Sequence, residues 1–183
     1  MSKKVLVALS GGVDSATAAY LLKERGFEVT GIMLRLYDKP DSTDTDDAKL
    51  LCEKLSIPFV NPVYRQEFKK EVIDRFASSY TAGLTPNPCV DCNRYVKLPF
   101  VFDYADRNGF DYVATGHYCR KAIVRRATGE AVPVMDGGVP CDLQCGMNGE
   151  EDNAYRIIAG SDNNKDQTYF LCQLTQQQLS KAL

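Results

Sequence analysis

The first apolar run of the chain, Val5-Leu6-Val7-Ala8-Leu9, is too short for a helix and unbroken by polar residues. It reads as a strand buried on both faces, and Ala16 to Lys23 after it reads as a helix ending near Gly26. The alternation continues. Glu28 to Leu36 predicts a second strand, and Asp44 to Leu55 a helix with Ala48, Leu51, Cys52 and Leu55 on one face, stopping before Pro58. Phe59 to Val63 predicts a third strand, followed by a longer helix from Gln66 to Tyr80 with Phe68, Val72, Ile73 and Phe76 inward. Tyr95 to Asn108 predicts a further helix closed by Gly109, and Asp111 to Thr115 a fourth, parallel strand. Strands that alternate with helices build βαβ units and a parallel sheet covered on both faces. The fold expected is α/β, a five-stranded parallel sheet sandwiched by helices, with a small β-hairpin excursion.

Beyond Tyr118 the pattern changes. Ala122 to Arg126 and Val132 to Met135 read as hairpin strands, Asp136 to Asp152 as a polar, Gly-rich excursion, and Ala154 to Ala159 as a strand. Thr175 and Gln178 form a capping box that opens a last helix. One domain over residues 1–183 is expected: a core over 1–120, the excursion over 121–160, and from 161 to 183 the start of a linker to a part this chain lacks. From its abrupt ending the chain is expected to be a fragment.

A chain of 183 residues, 44% apolar and 25% charged, is ordinary for a globular domain with a real core. Its net charge of −2 gives no overall attraction to nucleic acid, so any RNA contact must be local. Arg94, Lys97, Arg107, Arg120, Lys121, Arg125 and Arg126 face only Asp103, Asp106 and Asp111 and form the candidate basic segment, unless they are simply a solvated face. Gly11, Gly12 and Asp14 cut the first apolar run too early for a secretory signal, and no stretch is long enough to span a membrane. The expected setting is the cytoplasm, with no membrane partner. Seven cysteines without a disulfide-like spacing direct attention to thiol chemistry or metal binding.

Ser10-Gly11-Gly12-Val13-Asp14-Ser15 lies between the first strand and the first helix. Two glycines permit a sharp turn and leave no Cβ in the way of a ligand. The free N–H groups and dipole of the first helical turn then favour a phosphate. Ser10 and Ser15 add hydroxyl donors, while Asp14 can orient the loop or meet a metal ion. No GxxxxGK[ST] is present, so no lysine reaches a terminal phosphate, and the loop suits a pyrophosphate that leaves as a unit. The hexad resembles the SGGxDS loop of the PP-loop ATP pyrophosphatases.

A second motif is Thr85-Pro86-Asn87-Pro88-Cys89-Val90-Asp91-Cys92-Asn93-Arg94-Tyr95-Val96-Lys97, a CxxC in a proline-stiffened loop at a helix start. A cysteine there, beside Arg94 and Lys97, is expected to have a lowered pKa. Three chemistries fit: a nucleophile, a redox pair, or two ligands of a metal or iron–sulfur site. His117, the only histidine, reads as structural or as lining a nucleotide site. Cys52, Cys119 and Cys172 read as core or partly buried residues, and Cys141 and Cys145 as surface thiols of the excursion.

These two motifs, with Ala114-Thr115-Gly116-His117-Tyr118 and Asn164-Lys165-Asp166-Gln167-Thr168-Tyr169-Phe170-Leu171, resemble in order the tRNA 2-thiouridylases of the MnmA/TrmU type. The resemblance implies a PP-loop domain of the HUP type, related to adenine nucleotide alpha-hydrolases. It also implies a tRNA-uridine 2-sulfurtransferase that uses ATP and Mg2+ to adenylate the wobble uridine carbonyl oxygen, which a persulfide sulfur then replaces. Ala8, Leu9, Ser10, Gly11, Gly12, Val13, Asp14 and Ser15 would hold the ATP phosphates, with Met33 or Leu34 and Gly116 bordering the adenosine. Asn87, Pro88 and Cys89 would sit at the target base, and Lys165, Asp166 and Gln167 would touch tRNA. Cys92 matches the first catalytic cysteine, so Cys92, Cys89 and Asp14 are the candidate catalytic residues.

Many members carry Asp where this chain has Cys89, and the second catalytic cysteine, in an STGICF-like segment, has no counterpart before Leu183. The partners implied are tRNA and a persulfide sulfur-donor protein. In the full-length protein Cys89 and Cys92 would either ligate an iron–sulfur cluster or leave Cys92 to form a disulfide during transfer, and the fragment alone would be inactive. Another PP-loop adenylating enzyme, a tRNA cytidine thiolase or an amidotransferase-type synthetase, would share SGGVDS without the other motifs. A non-enzymatic nucleotide-binding module of the universal-stress type would need no reactive cysteine opposite the loop.

Overall fold

The computed structural model describes residues 2–37, 43–125, 131–133, 153–162 and 165–183. The chain forms two compact units, Met1–Gly116 and His117–Leu183. The first is built on a parallel sheet of β1 (Lys4–Ala8), β2 (Glu28–Ile32), β3 (Phe59–Val60) and β4 (Tyr112–Thr115) in the order β3-β2-β1-β4. The first strand is therefore central, pairing Val5 with Val29 on one side and with Tyr112 on the other. Val5, Leu6 and Val7 have no exposed surface, as an unbroken apolar strand between two helix layers should. Each such side chain contributes ~1.5–3 kcal/mol of burial.

Helix α1 (Val13–Glu24) connects β1 to β2, and α2 (Asp44–Lys54) precedes β3. β2 ends at Ile32 rather than Leu36, but the chain stays extended beside β3: the Met33 N–H donates to the Val60 carbonyl and the Arg35 N–H to that of Pro62. Gly31 of β2 is pressed from both faces, since a Cβ there would lie 2.6 Å from both Cys52 Sγ and Leu9 Cδ1.

The long helix read over 66–80 is present but not uniform. It runs as α3 (Arg65–Phe68), a π-helical stretch Lys69–Asp74, and α4 (Arg75–Thr81). Val72 is buried and Phe68 half-buried, but Ile73 and Phe76, expected inward, are 47% and 39% exposed. A π turn closes on i→i+5, so residues beyond Val72 no longer follow the 3.6-residue face that the pattern assumed. The helix read over 95–108 begins earlier, with α5 (Pro88–Cys92), a second π stretch Asn93–Lys97, and α6 (Leu98–Arg107). Asn87 caps it: its side-chain oxygen accepts from the N–H groups of Cys89 (3.1 Å) and Val90 (3.4 Å), and Pro88 takes the first helical position. The two π stretches pack together, and Leu36, Val72, Cys92 and Val96 form the buried cluster between them.

The second unit holds an antiparallel sheet of β5 (Cys119–Arg125), β6 (Ala131–Pro133) and β7 (Asn153–Ala159) in the order β6-β5-β7. The parallel sheet thus has four strands among the described residues, not five. The run 154–159 pairs with β5 instead, from Cys119 opposite Ala159 to Arg125 opposite Asn153, because an antiparallel neighbour needs no crossover helix. Helix α7 (Gln176–Lys181) carries the expected capping box of Thr175 and Gln178, and the Gln176 side chain clasps the backbone of Tyr155 on β7. The excursion Asp136 to Asp152, with Cys141 and Cys145, lies outside the described residues. Among the described residues no helix is long and apolar enough to cross a membrane.

Candidate nucleotide loop and thiol helix

In the order 3-2-1-4 the connections leave β1 in opposite directions, so the carboxyl ends of β1 and β4 form the switch point where ligands of open α/β sheets bind. Ser10 to Ser15 occupies that place. Gly11 has φ +77°, a left-handed conformation that a side chain would strain, and a Cβ there would also lie 3.2 Å from the Asp44 carbonyl oxygen. Gly12 caps α1 without a side-chain hydrogen bond, which leaves the orphan N–H groups of the first turn to a ligand.

Ser15 is buried and braces the loop. Its hydroxyl donates to the Gly12 carbonyl at 3.0 Å and accepts the Ser10 N–H at 3.2 Å. The hydroxyl of Ser10, on an exposed residue, is 3.3 Å from that of Ser15 and accepts the Gly12 N–H at 3.4 Å. Gly116 at the end of β4 presses on the back of the loop: a Cβ would meet Ser15 N at 2.5 Å and the Asp14 carbonyl carbon at 2.7 Å. Met33 and Leu34 follow β2 at the same end of the sheet, both half-buried. The Met33 carbonyl accepts from Asn61 Nδ2 at 2.6 Å, and Leu34 packs on the Cys92 cluster. Ala8, Leu9, the hexad, Met33, Leu34 and Gly116 thus share one edge of the first unit.

Cys89 and Cys92 part company. Cys89 is exposed in the first turn of α5, whereas Cys92 is 5% exposed and belongs to the cluster with Leu36, Val72 and Val96. Burial pushes the Cys92 thiol up, against the smaller opposing pull of the Lys97 charge and backbone N–H. The expected lowered pKa is therefore reversed. Cys92 is the last residue of α5 rather than its opening one, and it turns inward. Among the described residues no three His, Cys, Asp or Glu side chains gather into a possible metal site. One exposed and one buried thiol do not fit an iron–sulfur cluster.

In the second unit Lys165, Asp166 and Gln167 fold onto Tyr118 and Thr168. Lys165 Nζ stands 3.6 Å from the centre of the Tyr118 ring. The Tyr118 N–H donates to Gln167 Oε1 at 2.9 Å, and its carbonyl accepts the Gln167 N–H at 3.3 Å. Asp166 accepts from the Thr168 N–H (2.9 Å) and hydroxyl (3.0 Å), which hold its carboxyl below the usual range. His117 lies near Phe170, with ring centroids 6.3 Å apart.

Several readings of charge and burial change. Lys121, counted among the exposed basic residues, is turned inward and donates to the carbonyls of Leu179 (3.2 Å) and Ala182, and burial lowers its pKa to about 8. Arg107 is paired with Asp103 at 3.0 Å, and Arg120 donates to the Ala159 carbonyl. Cys172, expected to be at least partly buried, is exposed, because Leu171 takes the buried position of the 3-10 turn Thr168–Leu171. Sequence reasoning missed the grouping of Arg75 and Arg94 on the Tyr95 ring, at 4.4 and 4.8 Å from its centre. No local pattern joins Arg75 to residues on another helix.

The family described as tRNA methyl transferase HUP domain matches residues 3–183. The tRNA-specific 2-thiouridylase MnmA of Christiangramia forsetii is 42% identical over 190 residues, which cover 99% of this chain and 42% of that protein. Its counterpart from Flavobacterium johnsoniae gives the same figures. That from Clostridium beijerinckii is 38% identical over 194 residues, covering 100% of this chain and 47% of that protein. The chain thus spans less than half the length of these relatives. The match runs from residue 3 to residue 183 and takes in the loop, the thiol helix and the Tyr118 clasp alike, so the chain belongs to the tRNA methyl transferase HUP domain family.

Proposed function

We propose that this chain is the nucleotide-holding catalytic part of a tRNA-uridine 2-sulfurtransferase. The observation that carries the reading is the Ser10–Ser15 loop at the switch point, with Gly116 closing its back and the likeness to 2-thiouridylases extending over the whole chain. ATP is the nucleotide, tRNA the acceptor and the cytoplasm the setting. The orphan N–H groups of α1 and the Ser10 hydroxyl bind the β- and γ-phosphates, and the glycines let them approach the backbone. The uridine carbonyl oxygen attacks the α-phosphorus, the bond to the β-phosphate breaks, and pyrophosphate leaves as a unit. A persulfide sulfur from a donor protein then replaces the adenylated oxygen, with AMP as leaving group. Asp14, in the first turn of α1, is the carboxylate that would hold Mg2+, whose contribution is to offset phosphate charge.

Asn87, Pro88 and Cys89, at the start of the thiol helix with Asn87 and Cys89 exposed, meet the base, while Lys165, Asp166 and Gln167 meet tRNA through the surface left outside their clasp. Once the outer persulfide sulfur is bonded to the uridine carbon and AMP has left, the Cys92 thiolate attacks the inner sulfur, breaking its bond to the outer one. The outer sulfur stays on the uridine, and Cys92 is left in a disulfide with the donor's cysteine. A thiol that is 5% exposed reaches a base only after its helix moves. No step runs through an iron–sulfur cluster. Titration calorimetry with ATP tests the loop: Ser10→Ala and Asp14→Ala should each weaken binding roughly tenfold, the loss of one hydrogen bond or contact to a charged group. Unchanged affinity in both would sink the assignment. The acceptor is tested by 2-thiouridine formation in tRNA incubated with the full-length protein, ATP and a persulfide donor.

A further inference from the structure

We infer that Arg94 is a phosphate-reading residue for the RNA strand beside the target base, held in place by Tyr95 and Arg75. The inference rests on the sulfurtransferase reading and adds a recognition element to it. Arg94 lies two residues beyond Cys92 and is exposed. Its guanidinium lies over the Tyr95 ring, 4.8 Å from the centroid, and the Arg75 guanidinium is 4.4 Å from the same centroid.

The two cations are not equivalent. Arg75 Nε and Nη2 both donate to Glu71 Oε2 at 2.9 Å, so its in-plane donors are engaged and its charge is balanced. Arg94 has no carboxylate partner among the described residues. A guanidinium set against an aromatic ring keeps its N–H groups in its own plane, where they match two oxygens of a phosphodiester. Two guanidinium groups sharing one ring repel each other, and Glu71 offsets only one of them. An anion at Arg94 relieves the rest. Lys97, exposed on the same helix, adds a second cation. Counting Asp91, the segment Pro88–Lys97 carries a net charge of +1, with both cations, Arg94 and Lys97, exposed, on a chain of net charge −2, so it is a local point of attraction for RNA.

The experiment is binding of unmodified tRNA to the full-length protein, the parent of the variants below, across a salt series, with ATP affinity measured alongside. Arg94→Ala should raise the tRNA Kd about tenfold and lower the slope of log Kd against log salt by about one, as loss of one phosphate contact does. Arg94→Lys should keep the slope and recover only part of the affinity, because charge survives and the planar fork does not. ATP affinity should stay unchanged in both, which separates an RNA phosphate from a nucleotide phosphate and reports an intact fold. If the parent protein binds ATP but no tRNA, the sulfurtransferase reading fails and this inference with it. If the parent binds tRNA and Arg94→Ala binds it within about twofold with the same slope, this inference alone is overturned.

Discussion

At the scale of single residues, the CxxC spacing says less than the burial of each sulfur. Cys89 is exposed, and Cys92 is shut in a cluster whose desolvation disfavours its thiolate. Iodoacetamide labelling of the folded protein, sorted by peptide mass spectrometry, should modify Cys89 and the exposed Cys172 at least about tenfold faster than Cys92 or the buried Cys52. Because its pKa is raised, Cys92 should label faster as pH climbs past the ordinary thiol range, and denaturant should erase the difference. Equal rates in the folded protein would contradict the burial described. The loop glycines and serines were legible in the sequence because a tight turn between strand and helix has its own residue chemistry. The environment of Cys92 was not, since it depends on Val72, twenty residues upstream on another helix.

At the scale of elements, β5 carries two titrating groups with opposite effects on stability. Burial lowers Lys121 from 10.5 to about 8, so between those values the unfolded chain holds a proton that the folded one does not, and stability rises with pH. Burial, with the Asp166 charge second, raises Cys119 from 9.0 to about 11. The folded chain then holds the extra proton, and stability falls with pH across that window. The two slopes oppose each other where the windows overlap. Lys121→Met should expose the Cys119 slope, so that the melting temperature falls more steeply toward about pH 11 than in the parent. Cys119→Ala should leave a rise from about pH 8 upward. Circular dichroism melts over that range check both, and curves parallel to the parent's in both variants would refute the assignment. Periodicity located nearly every helix and strand, yet it placed Ile73 and Phe76 inward. An i→i+5 turn has no sequence mark, and every residue after it is counted from the wrong face.

At the scale of the whole molecule, the alternating pattern was enough to predict a parallel sheet with the loop at its carboxyl edge. The fate of residues 154–159 was not readable, because a strand of that composition pairs equally well in either sheet, and β5 offered it a seven-residue register. The nucleotide site depends on a contact between the two ends of the first unit, Gly116 against Ser15. Gly116→Ala puts a Cβ 2.5 Å from backbone rather than from a flexible side chain, so it should cost about 1–3 kcal/mol of stability and weaken ATP binding tenfold or more. Denaturant titration and calorimetry measure the two effects, and an unaltered variant would show that the loop stands without β4. The same contact sets a timetable for the chain as it is made. β1, α1 and β2 emerge early and can pair at once, but the strand that completes the other side of β1, and the glycine behind the loop, come about a hundred residues later. At ~5–20 residues per second that is a wait on the order of ten seconds. Throughout it β1, whose Val5 to Val7 are fully buried in the finished fold, has one open edge, so the nascent chain, rather than the finished one, is where Val5 to Val7 most need a chaperone's cover.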